Sequence, residues 1–255
     1  MNPVITFIVP TYKRPETLLR CLTSIKTFIY VDIEIIVIDD SMDGEGSAAA
    51  VSVGAKYIRK SKADRRGPGA SRNMGLSLAK GDFVVFIDDD DFLLGDDLQK
   101  MVAGADGNDL LFANYFIYAN DGLSPRTVAG VGVDDLLVLN RLPMGSFAVR
   151  RSAITYGFDE DMRSHEDWDF LLRNIYHWKL KHFDCSPIAI DKSLNDTSSI
   201  SARSRQFFWI DFLSIYSRFP CPRLAEKRCQ TMRSMGLNLA PEQLAFDPSV
   251  GQRVF

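Results

Sequence analysis

The sequence predicts an α/β protein built on a mostly parallel central sheet flanked by helices. Two observations carry this. Short apolar runs alternate with helical segments at short intervals as far as residue 103, the alternation that crossover connections produce. The strongest run is continuous rather than alternating, as in a strand covered on both faces. It is Phe-Val-Val-Phe-Ile at residues 83–87, followed without interruption by Asp88, Asp89, Asp90 and Asp91.

Residues 4–9 read as the first strand, closed by Pro10. The loop Thr11-Tyr12-Lys13-Arg14 leads to a helix that Pro15 starts and Glu16 favours in its first turn, with Leu18, Leu19, Leu22 and Ile25 at helical spacing. Residues 34–38 form a second strand ending in Asp39-Asp40-Ser41, and residues 56–59 a shorter third. The polar, basic stretch 60–69 is a loop, and residues 70–79 a helix stopped by Gly81. After the central strand come a helix at 95–103 and one long strand at 110–118. Asn120-Asp121-Gly122 then turns residues 123–128 back as a hairpin arm. Beyond 103 the pattern is mixed, with short strands at 145–149 and 188–190. An amphipathic helix at 166–178 carries Phe170, Leu171, Ile175 and Trp178 on one side. From Ala202 the chain is helical, aromatic and basic, broken by Pro220 and Pro222, and its clustered aromatics favour packing on the domain. The expected organisation is a domain over residues 1–200 with a helical C-terminal extension over 201–255.

With 255 residues the chain can form one large α/β domain. A net charge of −3 implies no polyanionic partner, so nucleic acid is not expected. One local exception is the basic segment Arg59, Lys60, Lys62, Arg65, Arg66 and Arg72, which reads either as a solvated loop or as a phosphate-facing one. Cys21, Cys185, Cys221 and Cys229 are scattered and form no C-x-x-C pair, which argues against a zinc site or a disulfide framework. No apolar run approaches a membrane span and the N-terminus lacks a signal-peptide pattern. A cytoplasmic location is expected, with peripheral contact at the inner face of the membrane left open through the basic and aromatic tail.

Four adjacent carboxylates at the mouth of a buried strand repel one another and call for a compensating charge. Hard oxygen ligands suit Mg²⁺ or Mn²⁺. In open α/β sheets the carboxyl ends of the strands are where ligands bind, which argues against a merely solvated acidic loop.

Four motifs stand in order: V-P-T-Y-K-R after the first strand, V-I-D-D-S after the second, Arg72-Asn73-Met74-Gly75 leading through A-K-G-D to F-I-D-D-D-D, and G-F-D-E-D-M-R-S-H-E-D-W-D-F-L-L-R. In this order and spacing, over roughly residues 3–200, the chain resembles the nucleotide-sugar glycosyltransferases of family 2 with the GT-A fold. The resemblance implies an inverting transfer from a nucleoside diphosphate sugar, UDP-sugar first, to a glycan or lipid-linked saccharide. Residues 1–103 then form the nucleotide-binding half and 104–200 the acceptor side. It implies that Asp90 ligates the metal with Asp91 assisting or replacing it, and that Asp88 joins them or contacts the ribose. Asp89 stands where the family usually has a small residue, which leaves the division of labour within the run open. Pro10, Thr11, Tyr12, Arg14, one of Asp39 or Asp40, Arg72, Asp88 and Asp89 are implied at the nucleotide, with Arg72 facing the base or its phosphates. Asp167 is implied as catalytic base, with Glu166 beside it in the acceptor or donor-sugar pocket and His165 behind. In similar enzymes the stretch from Ser193 to Arg205 closes over the diphosphate, which makes Arg203 and Arg205 phosphate candidates.

Three rival readings remain. A D-x-D phosphatase would carry a Thr or Val where Phe92 stands, and a nucleotidyltransferase would want a glycine-rich loop after the first strand. A non-catalytic nucleotide-binding module would bind without turnover.

Overall fold

The computed structural model describes residues 4–27, 32–64, 66–193 and 205–244. A seven-stranded sheet runs in the order β10-β6-β9-β4-β1-β2-β3, and a four-stranded sheet in the order β5-β11-β7-β8. In the larger sheet β1 (Ile5–Thr11), β2 (Ile33–Asp39), β3 (Lys56–Arg59) and β4 (Phe83–Phe86) are mutually parallel, as are β6 (Leu110–Ala113) and β10 (Leu180–Phe183). Only β9 (Phe147–Arg150) runs against its neighbours β4 and β6. The expectation of a mostly parallel central sheet holds.

Alternation along the central strands makes two cores. Ile8, Ile36, Ile38, Val84 and Phe86 face one side, under α3 (Pro68–Leu78) and α6 (Glu166–Ile175). Phe7, Val9, Val37 and Val85 face the other, under α1 (Pro15–Lys26), α2 (Ser47–Ser52) and α4 (Asp97–Ala103). The helical tail, α7 (Arg205–Arg218), α8 (Ala225–Ser234) and α9 (Pro241–Leu244), joins the first core through Phe212, Ile215, Tyr216, Cys229 and Met232. Among the described residues no helix is long and apolar enough to cross a membrane.

Four sequence readings need correction. Pro10 does not close β1, which pairs with β2 as far as Thr11 opposite Asp39. Thr11 O accepts Asp40 N on the β2 side, so the neighbouring Pro10 presents its missing N–H to the other side, where pairing with β4 has ended at Ile8 opposite Phe86. The single strand expected at 110–118 is two. β6 belongs to the large sheet and β7 (Tyr115–Ala119) to the small one, where it pairs with β8 (Gly122–Arg126) as the expected hairpin. Asn114 fills the break: its Oδ1 accepts Val128 N (2.9 Å), and its Nδ2 donates to Asp184 Oδ1 (3.0 Å). Finally, helix α6 ends at Ile175 rather than Trp178, and α3 starts at Pro68. Four short elements had no sequence signal of their own: α2, β5 (Phe92–Leu93), α5 (Val133–Leu136) and β10.

Candidate active site

β1, β2 and β4 deliver Thr11, Asp39 and the acid run to one edge of the sheet, and Ile87 N still donates to Ile8 O (3.1 Å) just before the run begins. The four aspartates then divide. Asp88, Asp90 and Asp91 can each bring a carboxylate oxygen within 4.8 Å of the others. Asp89 turns back towards β1 instead: Thr11 Oγ1 donates to its Oδ2 (2.6 Å) and Arg14 Nη1 to its Oδ1 (3.3 Å). Arg14 Nη1 also reaches Asp90 Oδ2 (2.9 Å). Asp91 Oδ1 accepts the backbone N–H of Asp191 (2.9 Å), at the end of β11 (Ile188–Asp191). The Asp191 carboxylate takes Arg20 Nη2 (2.6 Å), which also donates to Asp90 O. Neither Asp191 nor Arg20 was legible in the sequence as part of the site, because a hundred residues separate Asp191 from its partner.

Burial lifts Asp89, Asp90 and Asp91. The Asp89 carboxyl is pushed up to about 7, the hydrogen bond from Thr11 only partly offsetting burial. For Asp91, burial and then the charges of Asp88 and Asp90 raise it well above the usual carboxylate range, and Asp90 is raised by burial and then by the charge of Asp88. The donor set fits a divalent cation. One oxygen each of Asp88, Asp90 and Asp91 accepts no hydrogen bond from another described residue, and oxygen donors of this kind suit Mg²⁺ or Mn²⁺.

The R-N-x-G segment lies on α3. Arg72, expected from the sequence to face the nucleotide or its phosphates, is buried (3% exposed), and its guanidinium bonds two carboxylates. Nη2 donates to Asp88 Oδ1 (2.6 Å) and Nη1 to Glu166 Oε1 (2.7 Å), above the Phe158 ring. Burial works against its charge, and the two carboxylates more than compensate. Asn73 clamps the G-F-D-E segment: Phe158 N donates to its Oδ1 (2.8 Å), and its Nδ2 donates to Phe158 O (2.9 Å) and Glu160 Oε1 (2.8 Å). Gly75 sits where a Cβ would lie 2.4 Å from Ile8 Cγ2, so only glycine lets α3 approach β1 this closely.

Opposite the acid run, α6 begins after His165, whose φ of 60° is left-handed. His165 meets the ring edges of Phe208 and Phe212, and burial depresses its ionisation. Asp167 Oδ2 accepts Asn140 Nδ2 (2.9 Å) and Oδ1 accepts Trp168 N (2.8 Å). Burial, reinforced by the adjacent Glu166, pushes its carboxyl up to about 7 against the pull of Arg72. Asn140 was also missed, since a lone Asn in a loop carries no pattern.

The remaining predicted residues sit at the ends of β1 and β2. Tyr12 is 53% exposed beside Lys13, whose φ is 56°. Asp39 is turned inward, accepting Ser41 N (2.7 Å) and Tyr57 Oη (2.7 Å). Asp40, half-buried, pairs with the buried Lys60 Nζ (2.9 Å) and accepts Gly67 N (3.3 Å). Arg65, Arg203 and the side chain of Arg205 lie outside the described residues.

The glycosyl transferase family 2 model matches residues 6–197. The succinoglycan biosynthesis protein ExoO of Rhizobium meliloti is 32% identical over 127 residues, 49% of this chain and 36% of its own length. The GalNAc(5)-diNAcBac-PP-undecaprenol β-1,3-glucosyltransferase of Campylobacter jejuni is 32% identical over 138 residues, 52% of this chain and 44% of its own. The chain thus spans less than half the length of these two curated relatives. Among solved structures, the 1–349 fragment of S. aureus TarS in complex with UDP-GlcNAc has a TM-score of 0.68 at 19% identity, covering 94% of this chain and 69% of that one. The mannosyltransferase PcManGT of Pyrobaculum calidifontis, in complex with GDP-Man and Mn²⁺, has a TM-score of 0.58 at 17% identity, covering 94% and 67%. These likenesses show a shared fold, the GT-A arrangement expected from the sequence. A family match over most of the chain, on a sheet of this fold, settles the affiliation: the chain belongs to glycosyl transferase family 2.

Proposed function

We propose that the chain is a metal-dependent, inverting glycosyltransferase that moves a sugar from a nucleoside diphosphate sugar, UDP-sugar first, to a glycan or lipid-linked saccharide in surface polysaccharide biosynthesis. The observation that carries this is a pairing of unlike carboxylates. Three, Asp88, Asp90 and Asp91, gather within 4.8 Å, each with an oxygen that no other described residue bonds, and Asp167 on α6 has its carboxyl lifted to about 7.

On this reading Thr11, Tyr12 and Arg14 at the end of β1, with Pro10 shaping its backbone, seat the nucleotide together with Asp40. Tyr12 offers an exposed ring for the base, and Asp40 a carboxylate for an imide N–H. Asp39 supports that seat from inside through Ser41 and Tyr57. Asp88, Asp90 and Asp91 would hold Mn²⁺ or Mg²⁺, which when bound neutralises charge on the departing diphosphate. Asp89 anchors the run to β1, and Arg72 fixes Asp88 relative to Glu166. Asp167 takes the proton of the acceptor hydroxyl on the face opposite the leaving group, and a carboxyl near 7 is matched to proton transfer at neutral pH. Glu166 lines the pocket beside it. Residues 1–103 are thereby the nucleotide half, 104–200 the acceptor side, and 201–255 an extension. The TarS and PcManGT complexes support a nucleotide-sugar donor and leave its base between uridine and guanosine. The Campylobacter relative supports a lipid-linked acceptor, and with it a cytoplasmic enzyme peripheral at the inner membrane face.

The test is a thermal-shift panel of UDP, GDP, CDP and dTDP, each with and without Mn²⁺. The expected outcome is stabilisation by UDP only with metal, about 2.7 kcal/mol at a hundredfold excess over Kd. No shift with any nucleotide overturns the proposal. Binding without turnover of the corresponding sugar donor reduces it to a non-catalytic module.

A further inference from the structure

The segment beyond residue 200 lies outside the family match, yet it touches both elements that bracket Asp167. On one side is the turn ahead of α6. Asp211 of α7 accepts Arg163 N (3.2 Å), Ser164 N (2.9 Å) and Ser164 Oγ (3.0 Å) through a single oxygen, Oδ2. Phe208 and Phe212 hold the ring of the left-handed His165 at 4.6 and 5.4 Å, and Phe212 and Tyr216 meet Trp168 edge-on. Arg218 donates to Asp169 Oδ1 (3.0 Å). The tail therefore grips α6 at residues on either side of Asp167. A left-handed non-glycine residue costs free energy and persists only where its surroundings enforce it, and α7 supplies that enforcement.

On the other side is the segment running from α5 to Asn140. Tyr216 Oη donates to Val138 O (2.7 Å), and the buried Arg228 donates through Nε to Leu137 O (3.0 Å). Arg223 and Lys227 pair with Asp134 and Asp135 of α5. Two residues past Val138, Asn140 folds into the loop, its Oδ1 accepting Leu142 N (3.1 Å) while its Nδ2 donates to Asp167 Oδ2 (2.9 Å). Trp168 Nε1 closes the frame by donating to Leu136 O (2.6 Å).

We propose that the helical tail is a brace for Asp167, and that Asn140 is its positioning residue: the tail fixes the segment that carries Asn140 and the turn that carries Asp167, so that the Asn140 amide aims and stabilises the Asp167 carboxylate. The inference deepens the proposed function and rests on Asp167 as the base. The charged groups facing Asp167 are Glu166 on its own helix, Arg72 on α3 and Asp88 of the acid run. The tail presents Asp211 to the turn ahead of it, and Arg141 beside Asn140 faces Asp135. Asn140 brings a hydrogen-bond donor and no charge, which makes its removal a clean experiment.

The experiment is a carboxyl ¹³C NMR titration of the full chain, with the Asp167 resonance assigned by its loss in Asp167→Asn. In the wild type the midpoint is expected at about 7. Asn140→Leu removes the donor and moves the midpoint up by about one pH unit, the effect of losing one charge-assisted hydrogen bond. Tyr216→Phe changes no charge, frees Val138 O and moves the midpoint in the same direction by less. If Asn140→Leu fails to fold, Asn140→Ala, which only truncates the side chain, carries the same expectation. An unmoved midpoint in the Asn140 variant overturns the proposal. A shift with Asn140→Leu but none with Tyr216→Phe overturns the role of the tail. A lowered melting temperature with an unmoved midpoint shows mere packing and overturns it equally. Turnover of the nucleotide sugar by Asp167→Asn is read separately, so a failure of the base assignment is told apart from a failure of the brace.

Discussion

Two groups of partly buried acids and arginines are built differently. Around α6, Asp159 and Asp169 meet Arg173 and Arg218. Arg218 Nη1 donates to Asp159 Oδ2 (2.6 Å) and Asp169 Oδ1 (3.0 Å), and Arg173 lies 3.7 Å from Asp169 Oδ2. Among these described residues, two acids face two arginines. At the sheet edge, Asp88, Asp89, Asp90 and Asp91 with Glu166 and Asp191 are answered, among the described residues, by Arg14, Arg20 and Arg72, with Lys192 contributing from further away. In the first group burial lifts Asp169 while Arg218 and Arg173 pull it back. In the second, acidic neighbours add to burial, as at Asp91. A balanced group holds structure together. A group in which, among the described residues, acids outnumber arginines suits a cation.

Asp167 and Asp169 sit two residues apart on the same helix, so they offer the sharpest break. Asp167→Asn is expected to lower turnover about 10³-fold, roughly 4 kcal/mol in the barrier, with the nucleotide-dependent thermal shift retained. Asp169→Asn, inside the balanced group, is expected to lower the melting temperature and leave most of the turnover per folded molecule. If the two variants behave alike in both assays, the division between the groups is wrong.

Removing a charge from each group is the next test, and the effects should have opposite signs. Arg218→Met leaves Asp159 without its arginine and Asp169 with Arg173 alone, which should lower the urea midpoint and cost less than the roughly 3 kcal/mol of a fully buried pair. Asp90→Asn relieves repulsion, so stability without metal should hold or rise. The same variant should lose the extra stabilisation that Mn²⁺ gives the wild type, about 2.7 kcal/mol at a hundredfold excess over Kd. A metal-free Asp90→Asn protein that is clearly less stable would mean the acid run is already balanced.

Much of this contrast was legible in the sequence, and the limit was distance along the chain. The run 83–87, the acids after it, and the helical spacing of Leu18, Leu22 and Ile25 announced β4, its charged mouth and α1, because burial on a regular element leaves a local period. The Glu166-Asp167 pair, which the family resemblance placed at the start of a helix, does open α6. The break at Asn114 was hidden, since two short apolar runs with a single polar residue between them read as one strand whichever sheet each half joins. The inward turn of Asp39, the commitment of Arg72 to Asp88 and Glu166, and the partners Asp191, Arg20 and Asn140 all depend on contacts between residues far apart, which no local pattern encodes.

The smallest expected effect is on the pH dependence of stability. Asp89 and Asp167 titrate at about 7 in the folded chain, and Asp90 and Asp91 are raised as well. In the unfolded chain an aspartate titrates near 3.9. Between about pH 4 and 7 the native state therefore holds protons that the unfolded state has released, and these groups make stability fall as pH rises. The slope from one such group is at most about 1.4 kcal/mol per pH unit, and less for the partly exposed Asp167. His165 acts the other way: burial depresses it, so the unfolded state binds more protons below 6.5 and stability rises with pH there. Comparing denaturation at pH 5, 6 and 7 in EDTA and in Mn²⁺ cancels the His165 contribution, which is common to both. A cation among Asp88, Asp90 and Asp91 favours their charged forms and that of Asp89, so the Mn²⁺ series should rise relative to the EDTA series as pH increases. Parallel series would mean that the acid run has no more need of a cation than the balanced group on α6.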